Sequence, residues 1–236
     1  MRQRWLRPIV AFAVALAALP AAWSSPARAE PGVLVYPGMK IVQDTNVCTL
    51  GFVDPVARVG FTAGHCRGSG PVGDGDGNFV GTQAQFADNT PDGATIDTDH
   101  VISDWETIRL AGDVAVNNIL PGGRMLVEDP AVLPAPGLPV CHFGVITGES
   151  CGTIEAVNNG WFTMTDGVVS QKGDSGGPVY LVTPDGRAAI VGMFNSTWGR
   201  YPAAVSWPSA SGQARNSFVQ ASGDVTAIPN VVIPQP

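Results

Sequence analysis

Downstream of residue 40 the apolar positions fall into short stretches of period-two character, each closed within a few residues by Gly, Pro, Asp or Asn. Such alternation turns one side of an extended chain toward a core and the other toward water, so each stretch predicts a strand. Ile41-Val42 opens the first. Residues 48–53 and 57–62 predict two strands around the turn Asp54-Pro55, and residues 79–86, 95–102, 105–110 and 114–120 predict four more. Residues 68–77, rich in Gly and Asp, predict a loop, and Pro121-Gly122-Gly123 a crossover. A connector follows at 130–139, where four prolines fall in ten residues. Beyond it the strand pattern resumes at 140–145, 152–157, 161–165, 178–183 and 188–194. Only residues 212–221 predict a helix of some length, and the proline-ended tail 228–236 reads as extended surface chain. Many short strands joined by regular turns mean barrels or a sandwich.

The first 40 residues follow another pattern. Arg2, Arg4 and Arg7 precede an apolar run over 9–19, and Ala27-Arg28-Ala29 has the A-x-A form of a cleavage site. Residues 1–29 therefore read as a signal peptide, since the apolar run is far short of the roughly 20 residues that a membrane span needs. Residues 30–40 are a short lead or propeptide. The protein is expected to be exported and soluble, with no membrane span once the leader is removed. The full 236 residues allow one domain or two closely packed ones. Only 14% of residues are charged, while Gly numbers 29 and Pro 20, which suits turn-rich strands better than helices.

Loss of the leader removes four of the 13 Lys+Arg and leaves 9 against 20 Asp+Glu, a net charge of −11. That acidity excludes nucleic acid and anionic lipid as partners. Four cysteines fit an oxidising compartment. Three pairings exist in principle, and Cys48 with Cys66 and Cys141 with Cys151 are the local ones. A metal site is disfavoured, because there is no C-x-x-C and the only histidines are His65, His100 and His142. Asp74-Gly75-Asp76-Gly77-Asn78 has the look of a calcium loop. It lacks Gly at the sixth position, where Phe79 stands, and an acid at the twelfth, where Gln85 stands, so it reads as a solvated turn.

The chemistry sits in two stretches about a hundred residues apart. Gly173-Asp174-Ser175-Gly176-Gly177-Pro178 presents a serine on a tight turn with no bulky neighbour. The backbone N–H groups of Gly173 and Ser175 can converge there as an oxyanion hole. A serine hydroxyl needs a base to become a nucleophile, and the base needs a group to orient it. Thr62-Ala63-Gly64-His65-Cys66 supplies the base. Gly-x-Ser-x-Gly is also the literal elbow of the α/β-hydrolases, but their histidine comes last in the chain and His65 comes first.

Together these two stretches resemble the chymotrypsin-like serine proteases. The resemblance implies an all-β fold of two packed six-stranded antiparallel barrels with the active site between them. Residues 41–128 would form the first barrel, with the His and Asp, and residues 129–236 the second, with the Ser and the proline-rich tail. It implies a secreted serine endopeptidase acting on proteins or peptides through His65, Asp104 and Ser175, monomeric and without cofactor. Asp104-Trp105-Glu106-Thr107-Ile108-Arg109-Leu110 resembles the family's aspartate and following strand, although Glu106 stands where the family has a small residue. Asp113 is the other candidate for the acid. Asp174 is buried and ion-paired in the family, and a new N-terminus at Ile41 or the side chain of Arg124 would be its partner.

Cys141-His142-Phe143-Gly144-Val145-Ile146-Thr147-Gly148-Glu149-Ser150-Cys151 resembles the bacterial streptogrisin-type branch, with His142 as a loop residue. Residues 191–199, ending in Thr197, Trp198 and Gly199, resemble the strand that pairs with substrate and walls the specificity pocket. Asn195-Ser196-Thr197 is also a glycosylation sequon, but a glycan would obstruct that strand. The family's pocket floor corresponds to Val169. Its lack of charge implies a neutral or apolar residue before the scissile bond, while Lys172 at the rim leaves an acidic one open. The alternative function is a catalytically inactive protease fold that binds peptides.

Overall fold

Two sheets take up nearly all the strands of the computed structural model, which describes residues 32–90, 99–165 and 167–222. The expected signal peptide and the tail at 228–236 lie outside the described residues, as does the first half of the strand expected at 95–102, whose described half, 99–102, is turn and irregular chain rather than strand. The N-terminal half contains β1 (Leu34–Val35), β2 (Lys40–Gln43), β3 (Asn46–Thr49), β4 (Phe52–Asp54), β5 (Val59–Thr62), β6 (Pro71–Asp74), β7 (Phe79–Asp88), β8 (Asp104–Leu110) and β9 (Ala115–Val116). Seven of these form one antiparallel sheet in the order β3-β2-β6-β7-β8-β5-β4, while β1 pairs with β9 in parallel. The two edges of that sheet are consecutive in the chain. Leu50 N donates to Met39 O and Gly51 N to Phe61 O, so the chain bends there from one edge to the other. The stretch 48–53, expected as one strand, is two strands for that reason.

The second half contains β10 (Leu126–Val127), β11 (Pro139–Gly144), β12 (Gly148–Asn158), β13 (Trp161–Met164), β14 (Pro178–Val182), β15 (Ala188–Trp198) and β16 (Tyr201–Ser206). The order β15-β14-β11-β12-β13-β16 closes because β16 pairs again with β15, giving a six-stranded antiparallel barrel. β10 adds to β15 in parallel, so residues 126–127 join the second sheet although they precede the expected boundary at 128. The helix α1 (Trp207–Ser222) follows β16 directly and starts five residues before the expected one. Trp207 is buried there against Phe52 and Phe61, with ring centroids 4.8 and 5.0 Å away, and this anchors its first turn.

Each sheet encloses an apolar cluster. Val35, Ile41, Leu50, Val72, Val80 and Ile108 fill the first, and Val140, Ile154, Phe162, Met164, Val179 and Val191 the second. A third cluster takes residues from both halves and the helix, including Phe61, Trp105, Tyr180, Met193 and Trp207. It is the apolar contact that fixes the two sheets against one another.

Two further local expectations change. Residues 71–74 are a strand rather than loop. Of residues 114–120 only two are strand, because the Asn118 side chain accepts from Val53 N and donates to Leu126 O in place of a ladder. In the glycine-aspartate loop, Asp74 caps its own turn by accepting from Asp76 N and Asn78 N. Disulfides join Cys48 to Cys66 and Cys141 to Cys151, the two local pairings.

Candidate active site

His65 sits in a single 3-10 turn, Gly64–Cys66, that follows β5 and lies against β7 and β8. The turn can approach this closely because residue 64 is glycine. A Cβ there would stand 2.4 Å from Ala87 O and 2.9 Å from Trp105 N. Cys66 ties the turn to β3 through its disulfide, and Arg67 Nη1 donates to both Gly64 O (2.8 Å) and Asp88 Oδ2 (2.7 Å). With the turn held from both ends, the imidazole meets the first residue of β8. Asp104 Oδ1 accepts from His65 N at 2.8 Å, and Asp104 Oδ2 lies 2.8 Å from His65 Nδ1. Asp104 is fully buried, whereas the His65 side chain remains 36% exposed. Asp113, the other candidate acid, is exposed in the turn between β8 and β9.

The Ser175 loop reaches across from the second sheet. Ser175 O accepts from Thr49 N at 2.8 Å, Gly173 O accepts from Thr49 Oγ1 at 2.9 Å, and Gly176 N donates to Phe194 O at 2.7 Å. Gly176 has φ +84° and packs on β5, so that a Cβ would meet Thr62 Oγ1 at 2.0 Å and Ala63 N at 2.8 Å. Only glycine fits there, both for its backbone and for the space. This contact brings the serine loop against the segment that delivers His65. The N–H groups of Gly173 and Ser175 donate to no acceptor among the described residues.

Asn195 was not assigned a role from the sequence, although it joins the two halves of the site. Its Nδ2 donates to Asp104 Oδ2, and its carbonyl accepts from Ser175 Oγ at 3.4 Å. Its amide is therefore engaged in a buried contact rather than presented as a sequon. The link forms between distant strands, so nothing local in the sequence marks it. Thr197, Trp198 and Gly199 lie further along, at the hairpin into β16, where Trp198 packs edge-on against Trp161 at 4.2 Å. Val169 is half exposed, and its N–H donates to Ser150 Oγ at 2.9 Å. Lys172 is exposed.

Asp174 is fully buried, and its partners are neutral donors. Ile146 N (2.8 Å) and Thr147 N (3.2 Å) donate to Oδ1, while Thr147 Oγ1 (2.9 Å) and Gln171 N (2.7 Å) donate to Oδ2. Neither cation considered from the sequence is among them. Ile41 lies inside β2, opposite Cys48, and Arg124 donates to Gly186 O.

Two further ionisable groups are buried beside these elements. Glu106 follows Asp104 by two residues on β8 and accepts from Gln43 Nε2 at 2.8 Å. Burial pushes its carboxyl up to about 7, against the pull of Gln43 and Arg67 in the other direction. His142 is not a loop residue. It lies in β11, fully buried, stacked on Phe194 at 4.7 Å, with Nδ1 3.3 Å from Pro178 O. Burial lowers it to about 4 from 6.5, so it is neutral across the physiological range. The folded state then resists protonation that the unfolded chain accepts, and stability falls as pH drops from 6.5 to 4. The loss is on the order of 3 kcal/mol. By calorimetry, the wild-type Tm is expected to fall more steeply over that interval than that of His142→Asn; parallel curves would remove His142 as the cause.

Cys141, Glu149 and Cys151 come together in a metal-like grouping, but both sulfurs are in a disulfide and Glu149 accepts from Tyr180 Oη. No helix among the described residues is long and apolar enough to cross a membrane.

No protein-family model matches the chain. Solved structures with the same arrangement of strands include a glutamic acid-specific serine protease that uses a histidine triad in substrate binding. It matches with TM-score 0.55 and 19% identity over 78% of this chain and 97% of its own. A Nocardiopsis protease matches with TM-score 0.55 and 20% identity over 79% and 97%. An inactivated protease paralogue of the scabies mite also matches, with TM-score 0.55 and 11% identity over 77% and 93%. At such identities the likeness is one of fold, and the fold accommodates both active and inactive members. The amino-acid sequence is 57% identical over 203 residues to two proteins of Mycobacterium tuberculosis, Uncharacterized protein MT1863 and Uncharacterized protein Rv1815, covering 86% of this chain and 92% of each. The chain belongs to one family with these mycobacterial proteins, and it carries the fold of the chymotrypsin-like serine proteases.

Proposed function

We propose that the chain is an exported serine endopeptidase of the streptogrisin-type branch, working through Ser175, His65 and Asp104. The observation that carries this reading is the double grip of Asp104 on His65, through the backbone N–H and through Nδ1, beside a serine loop with two uncommitted N–H groups. An acceptor at Nδ1 keeps the proton on that nitrogen, which leaves the Nε2 lone pair to act as base. Ser175 Oγ attacks the scissile carbonyl as His65 takes its proton. The negative oxygen that results is held by Gly173 N and Ser175 N. Collapse breaks the C–N bond, His65 gives its proton to the departing amine, and the acyl-enzyme remains. Water then repeats the sequence and frees the carboxylic acid. Asp104 stabilises the imidazolium formed in both steps.

Substrate would lie along β15 at Asn195 to Thr197, adding a strand through its main chain. The uncharged Val169 favours a neutral or apolar residue before the scissile bond, with Lys172 as the group that would draw an acidic one. Residues 1–29 act as the export signal, the two disulfides suit an oxidising compartment, and the working unit is a monomer.

The test is labelling of the leader-free protein with a fluorophosphonate probe. Covalent modification is expected at Ser175, read by peptide mass, and is lost in Ser175→Ala. A folded protein that takes up no probe and binds a peptide without cutting it would instead be the inactive binding module.

A further inference from the structure

Glu106 is fully buried on the same strand and the same face as Asp104, two residues on, and the next residue of that face, Ile108, belongs to the apolar interior of the first sheet. One of its oxygens accepts from Gln43 Nε2, and the other, Oε1, has no hydrogen-bond partner among the described residues. The Gln43 amide faces two ways, because its Oε1 accepts from Gly68 N at 3.3 Å, in the chain that leaves the His65 turn. Asp104, by contrast, accepts three hydrogen bonds, from His65 N, His65 Nδ1 and Asn195 Nδ2. Burial of a carboxyl with one oxygen unpartnered favours its neutral form, so Glu106 holds its proton beyond the ordinary carboxylate range.

We propose that Glu106 is a positioning residue that sets the pH range in which His65 serves as a base. Asp104 lies against the imidazole, and Asp88, whose carboxyl His65 also helps to hold down, is shared with Arg67. When Glu106 ionises it adds a further negative charge to this group, which favours the imidazolium and withdraws the free base. The charged groups that face Glu106 fit this role. Asp104 on its own strand opposes its ionisation, while Arg67, after the His65 turn, favours it and is itself shared with Asp88 of β7. The carboxyl is raised from its ordinary 4.5 to about 7, where such a device operates.

The proposal rests on His65 being the base of the reaction suggested above, but its test does not require turnover. The imidazole titration of His65 is followed by NMR in the wild-type protein and in Glu106→Gln. The midpoint is expected to move down in the variant by roughly half to one pH unit, because a neighbouring negative charge can no longer form. A folded Glu106 binds a proton that its unfolded counterpart has lost between pH 4.5 and 7, so wild-type stability declines as pH rises through that window. The Tm of Glu106→Gln should therefore gain on the wild type from pH 5 to pH 8. If the variant does not fold, the carboxyl carbon of labelled Glu106 in the wild type gives the same answer, with a midpoint near 7 expected.

An unmoved His65 midpoint, a Tm difference flat with pH, or a Glu106 midpoint near 4.5 would each overturn the proposal. A shifted His65 in a protein that never takes up the fluorophosphonate would leave this coupling standing and remove the protease reading. A protease whose His65 ignores Glu106 would do the reverse.

Discussion

Asp104→Asn is expected to lower kcat/KM for a cleaved peptide by about four orders of magnitude near neutral pH, as this exchange does in a Ser-His-Asp triad. One oxygen of the amide would still accept from His65 N. The other position becomes an NH2 group, which faces His65 Nδ1 at the place where an acceptor stood 2.8 Å away. Nδ1 must then be the lone-pair nitrogen, the proton moves to Nε2, and the base is lost. The fold should survive, because Asn195 can turn its amide over and offer an oxygen to the new NH2. A Tm within a few degrees of wild type, together with the collapse in rate, would separate this from simple unfolding. Asp113→Asn is the control, since that side chain is exposed and should leave the rate within twofold. A rate for Asp104→Asn within tenfold of wild type would mean that Asp104 does not orient a catalytic imidazole.

Both parts of the candidate site that a short sequence word encodes, His65 and Ser175, were legible. A turn of glycines or a Gly-His-Cys run carries its geometry within a few residues. Asp104 could be ranked against Asp113 only by resemblance, because what separates them is register. Thr62 pairs with Glu106 across β5 and β8, which sets Asp104 beside the turn that follows β5. Asn195 was not legible at all, since its role depends on a side chain reaching from one sheet to the other.

His142 offers a different lesson, because its signal was present. Val140, His142 and Gly144 alternate with Cys141 and Phe143, and the buried members are the even ones. Strand periodicity put the histidine inside, while its polarity and the neighbouring turn drew it into a loop. The β16 strand, Tyr201–Ser206, was unseen for the opposite reason. Its Pro-Ala-Ala-Val core is buried almost throughout and so shows no alternation to read.

Asp174→Asn is expected to be less damaging to activity than Asp104→Asn and far more damaging to the fold. Space for this carboxylate is reserved by Gly144, where a Cβ would stand 2.2 Å from the carboxyl carbon. Four donors converge on its two oxygens, two of them backbone N–H groups on Oδ1. An amide oxygen can take that pair, but its NH2 then confronts Gln171 N–H, and Thr147 Oγ1 alone can rotate to accept. Leaving one such donor unpaired in a buried, formerly charged place costs about 3 kcal/mol, or roughly 10 °C in Tm for a chain of this size.

Gln171 and Asp174 bracket Gly173, so the N–H groups proposed to hold the oxyanion lose their alignment as well. A further loss of roughly 100-fold or more in kcat is expected. The same neutral donors make a new terminal ammonium unnecessary. Val35, Met39 and Ile41 are buried in the apolar cluster that the first sheet encloses, and the Lys40–Ile41 bond lies inside β2. Protein whose mass shows that bond intact should therefore hydrolyse peptide at the full rate, and so should Lys40→Gln. Activity that appeared only after cleavage at Lys40 would mean that Asp174 exchanges these four donors for an ammonium group, and that residues 30–40 are a propeptide.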